Sequence, residues 1–221
     1  MPDLMIFAAG KGTRMKPLTD TLPKPLIKVG GQTLLDRAIA LGQAGGAGRI
    51  VVNTHYLGGQ IAAHLAGREV TISAEQSLLE TGGGLRNALA LLTPGAVMTL
   101  NPDVVFTGDN PLATLQKNWR EGMGALLLLV PADRAVGRVG GGDFTLHEDG
   151  RITRGGDMIF AGAHMCLPER LSEIEENVFS LNRLWDLLMA EGRAFGMVHP
   201  GHWADVGRPD CIPLAEALLN A

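Results

Sequence analysis

Residues 8–26 read AAGKGTRMKPLTDTLPKPL, a segment that combines two close glycines, four cations and three prolines directly after a short apolar run. Gly10 and Gly12 allow the backbone to turn sharply and to bring its N–H groups against an anion. Arg14 and Lys24 add charges that can reach phosphate oxygens. The prolines stiffen the segment, so less conformational entropy is lost when a ligand binds. The segment therefore predicts a loop that holds the phosphates of a nucleotide.

The charge distribution favours a small anionic ligand. Residues 1–28 carry five cations and two acids, a net charge of +3, whereas the whole chain of 221 residues has a formal net charge of -4. A local cationic patch in an acidic protein suits a small anion better than a polyanion. A solvated charged loop is the alternative interpretation of the patch alone. With 5% aromatic residues, the chain lacks the stacking platforms of a single-strand binder, and no nucleic-acid partner is expected.

Composition and chain ends indicate a cytoplasmic protein. A hydrophobic content of 46% with 19% charged residues is typical of a globular domain. The two cysteines, Cys166 and Cys211, provide neither a disulfide framework nor a metal-ligand spacing. The start, MPDLMIFAAG, has no basic segment before its apolar run, and residues 125–130 are too few to span a bilayer. We therefore expect no membrane partner, and a monomer or small homo-oligomer.

Apolar, β-branched runs alternate with helical patterns in the first half of the chain. The runs LMIFAAG, RIVVNT, EVTIS and AVMTLN are bounded by turn residues, as buried parallel strands are. Helices are predicted over residues 33–44, 58–65 and 85–92, and Thr33 and Asp36 have the spacing of a capping box. This alternation predicts βαβ units in a parallel sheet with helices on both faces.

The second half changes character. The run ALLLLVP predicts another buried strand, and EDG predicts a hairpin turn between DFTL and RITR. An amphipathic helix is predicted in SLNRLWDLLMAEG, followed by a closing strand, a turn at GHWADVGRPD and a final helix around IPLAEALLN. The predicted fold class is α/β: a single Rossmann-like domain over residues 1–221, with a mixed, mostly parallel sheet, helices on both faces and a small β-hairpin insertion.

Two aspartates lie in segments that the pattern assigns to the carboxyl edge of the sheet, where open α/β folds bind ligands. They are Asp103 in LNPDVVF and Asp205 in HWADVG. Mg²⁺ is usually held by one or two carboxylates together with substrate phosphates, so the pair predicts a metal site. Taken singly, Asp103 also fits an Asx-turn and Asp205 a helix cap.

The segment LLETGGGLRNAL places Glu80, Thr81 and three glycines just before the predicted helix at residues 85–92. Backbone amides exposed by glycines can read the edge of a nucleobase, and a helix N-terminus suits nearby anions. A plain loop that needs positive φ angles is the alternative interpretation.

The phosphate segment fits neither a Walker A loop nor a G-x-G-x-x-G fingerprint. Its longer string, G-x-G-T-R-M-x-P-L-T followed by P-K-P, resembles the opening signature of the sugar-phosphate nucleotidyltransferases. The resemblance implies a loop around the triphosphate of an NTP, with Arg14 and Lys24 as catalytic residues on the phosphates; Lys11 stands at a variable position. The nucleotide-binding residues would be Ala9, Gly10, Lys11, Gly12, Thr13, Glu80, Thr81, Gly82, Gly83 and Asn101.

The resemblance continues along the chain to about residue 207. The family's acidic "NGD" or "NAD" loop and its late W-x-D-V/I-G element match here at Asp103 and Asp205, which implies Mg²⁺ as cofactor; Pro102 departs from the usual small residue. LETGGG, GGDF and FAG are similar to the short N-acetylmuramate-1-phosphate uridylyltransferase branch, and the last two imply sugar-phosphate contacts at Asp143 and Gly162. Asn53 lies in NTHYL, one of the loops at the ligand-binding edge of the sheet, and is a further candidate for sugar contact. The E-K-P lysine of larger relatives is missing, and either Arg138 or Arg154 can supply that cation, unless the short branch needs none.

The implied reaction joins an NTP and a sugar 1-phosphate to give an NDP-sugar and pyrophosphate, with UTP and N-acetylmuramate 1-phosphate as the substrates of that branch and peptidoglycan recycling as the role. Residues 1–110 would form the nucleotide-binding half and residues 111–221 the sugar-phosphate-binding half. Three alternatives stay open: a mannose-1-phosphate guanylyltransferase, a short phosphocholine cytidylyltransferase, and a non-catalytic module that senses nucleotide or sugar phosphate.

Overall fold

The computed structural model describes residues 1–220. Fourteen strands lie within these residues: β1 (Leu4–Phe7), β2 (Lys28–Val29), β3 (Gln32–Thr33), β4 (Ile50–Thr54), β5 (Thr71–Ala74), β6 (Val97–Leu100), β7 (Val104–Phe106), β8 (Ala125–Pro131), β9 (Ala135–Val136), β10 (Phe144–Leu146), β11 (Ile152–Arg154), β12 (Met158–Cys166), β13 (Ala194–Val198) and β14 (Trp203–Asp205). The described α-helices are α1 (Leu34–Ala44), α2 (Gly58–Leu65), α3 (Glu80–Ala88), α4 (Pro111–Asn118), α5 (Asn182–Ala190) and α6 (Cys211–Leu219).

Nine strands form one mixed sheet in the order β11-β10-β12-β6-β1-β4-β5, with β8 paired to β12 and β13 paired to β8. The part that contains β6, β1, β4 and β5 is parallel. β12 runs antiparallel to β6, β8 and β10, and it joins the parallel part to the β10–β11 hairpin. The predicted single α/β domain with a hairpin insertion is confirmed.

Side chains that alternate along each strand build two cores, one on each face of the sheet. In β1, Leu4 and Ile6 join the core formed with α1, α2 and α4, whereas Met5 joins the core formed with α3 and α5. In β8, Leu126 and Leu127 divide between the two cores in the same way. Because both faces are covered, these strands are continuous apolar runs, which is the pattern that predicted them.

A third, smaller core fixes the phosphate segment from beneath. Strands β7, β14 and β9 form a separate three-stranded sheet, and α6 packs against it. Met15, fully buried in the phosphate segment, joins Val105 of β7, Ala204 of β14 and Ala215 of α6 in this core. The cation-rich loop is therefore held by packing between distant parts of the chain.

Some predicted elements have different bounds. Helix α3 begins at Glu80 rather than at residue 85, so its three glycines lie inside the helix and not in a loop before it. The predicted turn at residues 201–210 contains strand β14. Helix α4 was not predicted, although Asn110, whose side chain caps it, and Pro111 in its first turn are a local signal.

The Thr33 half of the capping box predicted for α1 is confirmed, since its side chain accepts a hydrogen bond from the Asp36 amide, whereas the Asp36 carboxylate contacts His64 and Arg68. None of the helices in residues 1–220 combines the length and apolar character that a bilayer crossing requires.

Candidate active site

Two adjoining cavities, of about 440 Å³ and about 360 Å³, lie at the carboxyl ends of β1 and β6. We call them the first and the second cavity. Several residues line both, so the two spaces are continuous: Phe7, Arg14, Thr81, Asn101, Asp103 and Ser180. A ligand with two parts could therefore extend from one cavity into the other past Arg14 and Asp103.

The turn of the phosphate loop depends on Gly12. This residue has a φ angle of 61°, and a Cβ atom there would lie 2.9 Å from the Cβ atom of Lys24 and 3.0 Å from Cγ2 of Thr19. The Thr19 hydroxyl donates to the Gly12 carbonyl at 2.8 Å and closes the loop on itself. Both the left-handed backbone and the lack of space require glycine at this position.

The loop also offers unpaired backbone donors. The amide groups of residues 10–14 donate to no acceptor within residues 1–220. Successive free N–H groups in a turn form a concave site for anions. Because Gly10, Gly12 and Thr13 line the first cavity, this is the part of the molecule best suited to hold phosphate oxygens.

The two predicted catalytic cations differ in their surroundings. The Lys24 ammonium lies 2.5 Å from Oδ2 of Asp103, and its side chain is only 12% exposed. The Arg14 side chain is exposed and forms no salt bridge with an acid of the described chain. The Arg14 side chain is therefore free to bind an incoming anion. Lys24 is already paired with Asp103, so it would bind such an anion next to the two aspartates.

The two aspartates are brought together by β7 and β14. Asp205 ends β14, and the Val206 amide that follows it donates to the Asp103 carbonyl at 2.8 Å. Burial, and then the charge of Asp103, raise the pKa of Asp205, although the nearby charges of Lys24 and Arg14 oppose this. The carboxylates are therefore close enough to repel each other, a situation that a bound cation relieves.

Gly207 leaves room beside the acidic pair. A Cβ atom at this position would lie 3.0 Å from Oδ2 of Asp205 and 3.4 Å from Nη1 of Arg14. Within residues 1–220, no group of three or more acidic, histidine or cysteine side chains could hold a metal by itself. Two close carboxylates fit a divalent ion whose other ligands are phosphate oxygens and water.

The start of helix α3 forms one wall of the first cavity. The amides of Gly82 and Gly83 donate to the Phe179 carbonyl at 2.9 and 3.0 Å, so they are not free to read a base edge in this conformation. Neither glycine lines a cavity, but Glu80 and Thr81 do. The glycines instead allow the chain around Phe179 to pass close to the helix. Glu80 adopts a φ angle of 60°, a strained conformation of the kind found at ligand sites.

Asn53 is buried, and its contacts make it a positioning residue. Its Oδ1 accepts from the Ala8 amide at 2.7 Å, and its Nδ2 donates to Oε1 of Glu75 at 2.7 Å. The other oxygen of Glu75 accepts from the Leu79 amide at 3.1 Å, so the network ties the phosphate loop to the start of α3. Asn53, which was predicted to contact the sugar phosphate, lines the first cavity and not the second. Sequence reasoning missed Glu75, although an acid directly after β5 was a signal.

The other two predicted sugar-phosphate residues lie in the second cavity. Asp143 accepts from Nη2 of Arg138 and from the Phe160 amide, each at 2.9 Å, so both of its oxygens are already engaged. Gly162 lies in an irregular part of β12 and has a φ angle of 84°. Its carbonyl accepts a hydrogen bond from the Asn101 amide at 2.8 Å. Arg138 and Asp143 therefore line this cavity as an ion pair.

Most of the predicted nucleotide-binding residues come together in the first cavity. The structure places Ala9, Gly10, Gly12, Thr13, Glu80, Thr81 and Asn101 there. Lys11 is exposed and lines neither cavity. Phe160 and Trp203, which belong to the FAG and W-x-D-V/I-G motifs, also line the second cavity. Sequence reasoning missed other residues of this cavity, among them His164, Asn182 and Trp185. Each looks like an ordinary core or helix residue in the sequence, and no local motif distinguishes it.

A cationic, amide-lined pocket next to paired acids suits the transfer of a nucleotidyl group, and the fold agrees, so the molecule has the features of an NTP-dependent transferase. The family model described as MobA-like NTP transferase domain matches residues 4–221. The chain belongs to that family. The predictions of a nucleotidyltransferase and of a resemblance to the sugar-phosphate branch are confirmed.

Two similar proteins share nearly their whole length with this chain. N-acetylmuramate alpha-1-phosphate uridylyltransferase from Caulobacter vibrioides is 37% identical, over 97% of this chain and 96% of that protein. The protein of the same description from Neisseria meningitidis serogroup B is 34% identical, over 98% of each chain. A mannose-1-phosphate guanylyltransferase from Mycobacterium tuberculosis is 26% identical over 98% of this chain but only 64% of its own length.

Solved structures agree on the fold. A putative glucose-1-phosphate thymidylyltransferase from Bacillus anthracis superposes with a TM-score of 0.82 at 17% identity, over 99% of this chain and 95% of that chain. HddC from Yersinia pseudotuberculosis, solved in complex with GMP-PN, gives a TM-score of 0.80 at 20% identity, over 99% of this chain and 100% of that chain.

Proposed function

We propose that this enzyme joins UTP and N-acetylmuramate 1-phosphate to give the UDP-sugar and pyrophosphate, in the cytoplasm, as a step of peptidoglycan recycling. The observation that carries the proposal is the continuity of two cavities at Arg14 and Asp103. A reaction between two phosphates requires that each substrate place a phosphate at one shared point. The two full-length relatives support the choice of base and sugar.

The nucleotide occupies the first cavity in this proposal. Apart from Ser180 and Gly207, its lining residues all come from residues 1–110, which supports the assignment of that part to nucleotide binding. The sugar phosphate occupies the second cavity, which residues 111–221 help to line. Arg138 supplies the cation that the missing E-K-P lysine would give. Both arginines are paired, Arg138 with Asp143 and Arg154 with Asp186 and Asn182 of α5, but the charge of Arg138 also acts on Asp205 of the acidic pair.

The chemistry is an in-line displacement at the α-phosphorus of the NTP. An oxygen of the sugar phosphate forms the new P–O bond while the bond from the α-phosphorus to the bridging oxygen breaks and pyrophosphate leaves. The attacking oxygen is already anionic, so no general base is needed. The work of the protein is therefore to position the phosphates and to neutralise charge.

The chain's own groups divide this work. The free amides of residues 10–14 hold the leaving phosphates, and Arg14 stabilises the charge that develops on them. Lys24 stays near the reacting centre because Asp103 anchors it. Asp103 and Asp205 would hold Mg²⁺, which supplies neutralising charge on the phosphates when it is bound. Burial, and then the charge of Asp103, raise the pKa of Asp205, and a cation bound between the two acids would offset both effects, which supports this assignment.

The proposal is tested by a grid of four NTPs against several sugar 1-phosphates with Mg²⁺, in which pyrophosphate release is followed. A kcat/KM that is highest for UTP with N-acetylmuramate 1-phosphate supports the proposal. Turnover with GTP and mannose 1-phosphate replaces the substrates but keeps the chemistry. Nucleotide binding without turnover of any pair means that the protein is a non-catalytic module.

Two variants of the same loop connect the activity to this site. Arg14→Ala should lower kcat by about 100-fold or more, because the interaction acts mainly on the transition state. Lys16→Ala removes an exposed cation that pairs with Asp20 and lines neither cavity, so it should leave kcat unchanged. An Arg14→Ala enzyme with unchanged kcat would rule out the assigned role.

A further inference from the structure

The floor of the second cavity contains two buried nitrogen atoms without a partner. Nε2 of His164 and Nε1 of Trp185 have no hydrogen-bond partner within residues 1–220. His164 is fully buried and Trp185 is 6% exposed, yet both residues line the second cavity. Buried polar atoms are normally satisfied, and an orphan in a native protein requires an explanation.

The two residues form one structural unit. Their rings meet edge to face, with centroids 5.3 Å apart, and Phe160 packs against Trp185 at 4.8 Å and against His164 at 5.9 Å. Nδ1 of His164 lies 2.5 Å from the Thr99 hydroxyl. When that hydroxyl donates to Nδ1, the neutral ring carries its proton on Nε2 and becomes a donor; the Trp185 indole N–H is a donor in any case. Contacts between an N–H group and an aromatic face are weak substitutes for a hydrogen bond.

We propose that His164 and Trp185 recognise the N-acetyl group of the sugar, and thereby make the enzyme selective for N-acylated amino sugars. The proposal rests on the proposed function, since it requires the sugar phosphate in the second cavity. An acetamido group offers a carbonyl oxygen that accepts from both N–H groups. It also carries a methyl group, for which the aromatic rings of Trp185 and Phe160 provide an apolar contact.

The charge of the floor argues against a carboxylate as the ligand at this point. Burial lowers the pKa of His164 to about 3, so the imidazole is neutral at working pH. Arg154 lies over the Trp185 ring at 5.9 Å but donates to Asp186, which offsets its charge. Neutral donors suit a neutral carbonyl oxygen, whereas a carboxylate buried against these two neutral groups would be costly. The lactyl carboxylate of a muramate sugar must therefore point elsewhere.

The experiment compares two matched sugars on the same enzyme. The ratio of kcat/KM for N-acetylglucosamine 1-phosphate to that for glucose 1-phosphate isolates the N-acetyl group. The wild-type ratio should be about 100 or more, because a site with buried donors rejects an analogue that leaves them unpaired. His164→Leu and Trp185→Phe should each lower the ratio about tenfold and leave the KM for the NTP unchanged. Trp185→Phe keeps a ring, so it guards against a failure to fold.

His199→Leu is the matched control. His199 is also fully buried, but it lines neither cavity and bonds to the Thr107 carbonyl at 3.0 Å. This variant should lose stability and keep the sugar ratio. If the ratio is equally unaffected in the His164 and Trp185 variants, the two residues are only packing groups and the inference is wrong. It is also wrong if these variants selectively lose N-acetylmuramate 1-phosphate relative to N-acetylglucosamine 1-phosphate, since the floor would then read the carboxylate.

Failure of the proposed function gives a different result. In that case no sugar 1-phosphate releases pyrophosphate with any NTP. Calorimetric titration of N-acetylglucosamine 1-phosphate and glucose 1-phosphate into the wild-type protein and the variants then decides the inference by itself. Preferential binding of the acetylated sugar that is lost in His164→Leu supports it, and equal or absent binding of the two sugars refutes it.

Discussion

Replacement of Gly82 by alanine tests how helix α3 is held beside the first cavity. A Cβ atom at this position would overlap ring carbons of Phe179 and lie 2.9 Å from the Phe179 carbonyl oxygen. That carbonyl is also the acceptor for the amides of Gly82 and Gly83. The added methyl group therefore pushes against a buried side chain and against two hydrogen bonds together.

Two opposing effects set the size of the change. Alanine is favoured over glycine in a helix by about 1 kcal/mol, which by itself predicts a more stable protein. Overpacking of a filled site costs about 1–3 kcal/mol, and a weakened hydrogen bond costs about 1 kcal/mol more. The expected net loss is about 2 kcal/mol, or a decrease in Tm of about 4–8 °C for a chain of this length.

Gly59→Ala is the matched control, because it isolates the effect of helix propensity. Gly59 lies in α2 and is exposed, and a Cβ atom added there would have no neighbour within 4 Å outside its own helix. Its replacement should raise Tm by about 2 °C. Differential scanning calorimetry of both variants measures the contrast. If Gly82→Ala raises Tm as Gly59→Ala does, the close packing between α3 and Phe179 is refuted.

Three further predictions follow from the site. Asp205→Asn should abolish turnover but raise the Tm of the metal-free protein by about 2–4 °C, because burial and the charge of Asp103 make a charged Asp205 costly. Thermal unfolding in EDTA measures this change, and a lower Tm for the variant would contradict the prediction. Gly12→Ala should displace Lys24 and so weaken NTP binding about tenfold or more. Gly67 has a similar positive φ angle but open space around it, so Gly67→Ala should lose only stability. Calorimetric titration of NTP compares the two variants, and equal affinities would show that Lys24 is not displaced. Burial lowers the pKa of His164 to about 3, so the unfolded state binds more protons than the folded state below pH ~6.5. The free energy of unfolding should therefore decrease by about 1.4 kcal/mol for each pH unit of acidification there. Urea unfolding at several pH values should show a weaker pH dependence of stability for His164→Leu, and an unchanged dependence would mean that His164 is protonated in the folded state.

The phosphate loop could be predicted because its chemistry is written in one contiguous segment. Gly12, Arg14 and Lys24 lie within residues 8–26, and the turn that they need is a local property of the backbone. The buried strands could be predicted for a similar reason, since a strand covered on both faces must be apolar along its whole length. Asp103 and Asp205 could also be picked out from the sequence, because each lies in a recognisable segment next to a strand.

The contacts that these residues make with distant parts of the chain could not be predicted from the sequence. Lys24 and Asp103 are 79 residues apart, and the ion pair between them forms only because β1 and β6 pair in parallel and bring the loops that follow them to the same edge of the sheet. The start of α3 was misjudged because three glycines usually weaken a helix. Here the carbonyl of Phe179, nearly 100 residues away, satisfies the amides of Gly82 and Gly83, and the chain around it needs the space that glycine leaves.

The sequence by itself determined the α/β architecture and the cation-rich loop at residues 8–26, because local turns and apolar runs encode both. Only the tertiary structure decided which side chains face the second cavity. His164 and Trp185 are ordinary core residues in the sequence, and Asn53 resembles a loop ligand. Their roles depend on which atoms find partners after strands and helices from distant parts of the chain have packed, and no local pattern records that.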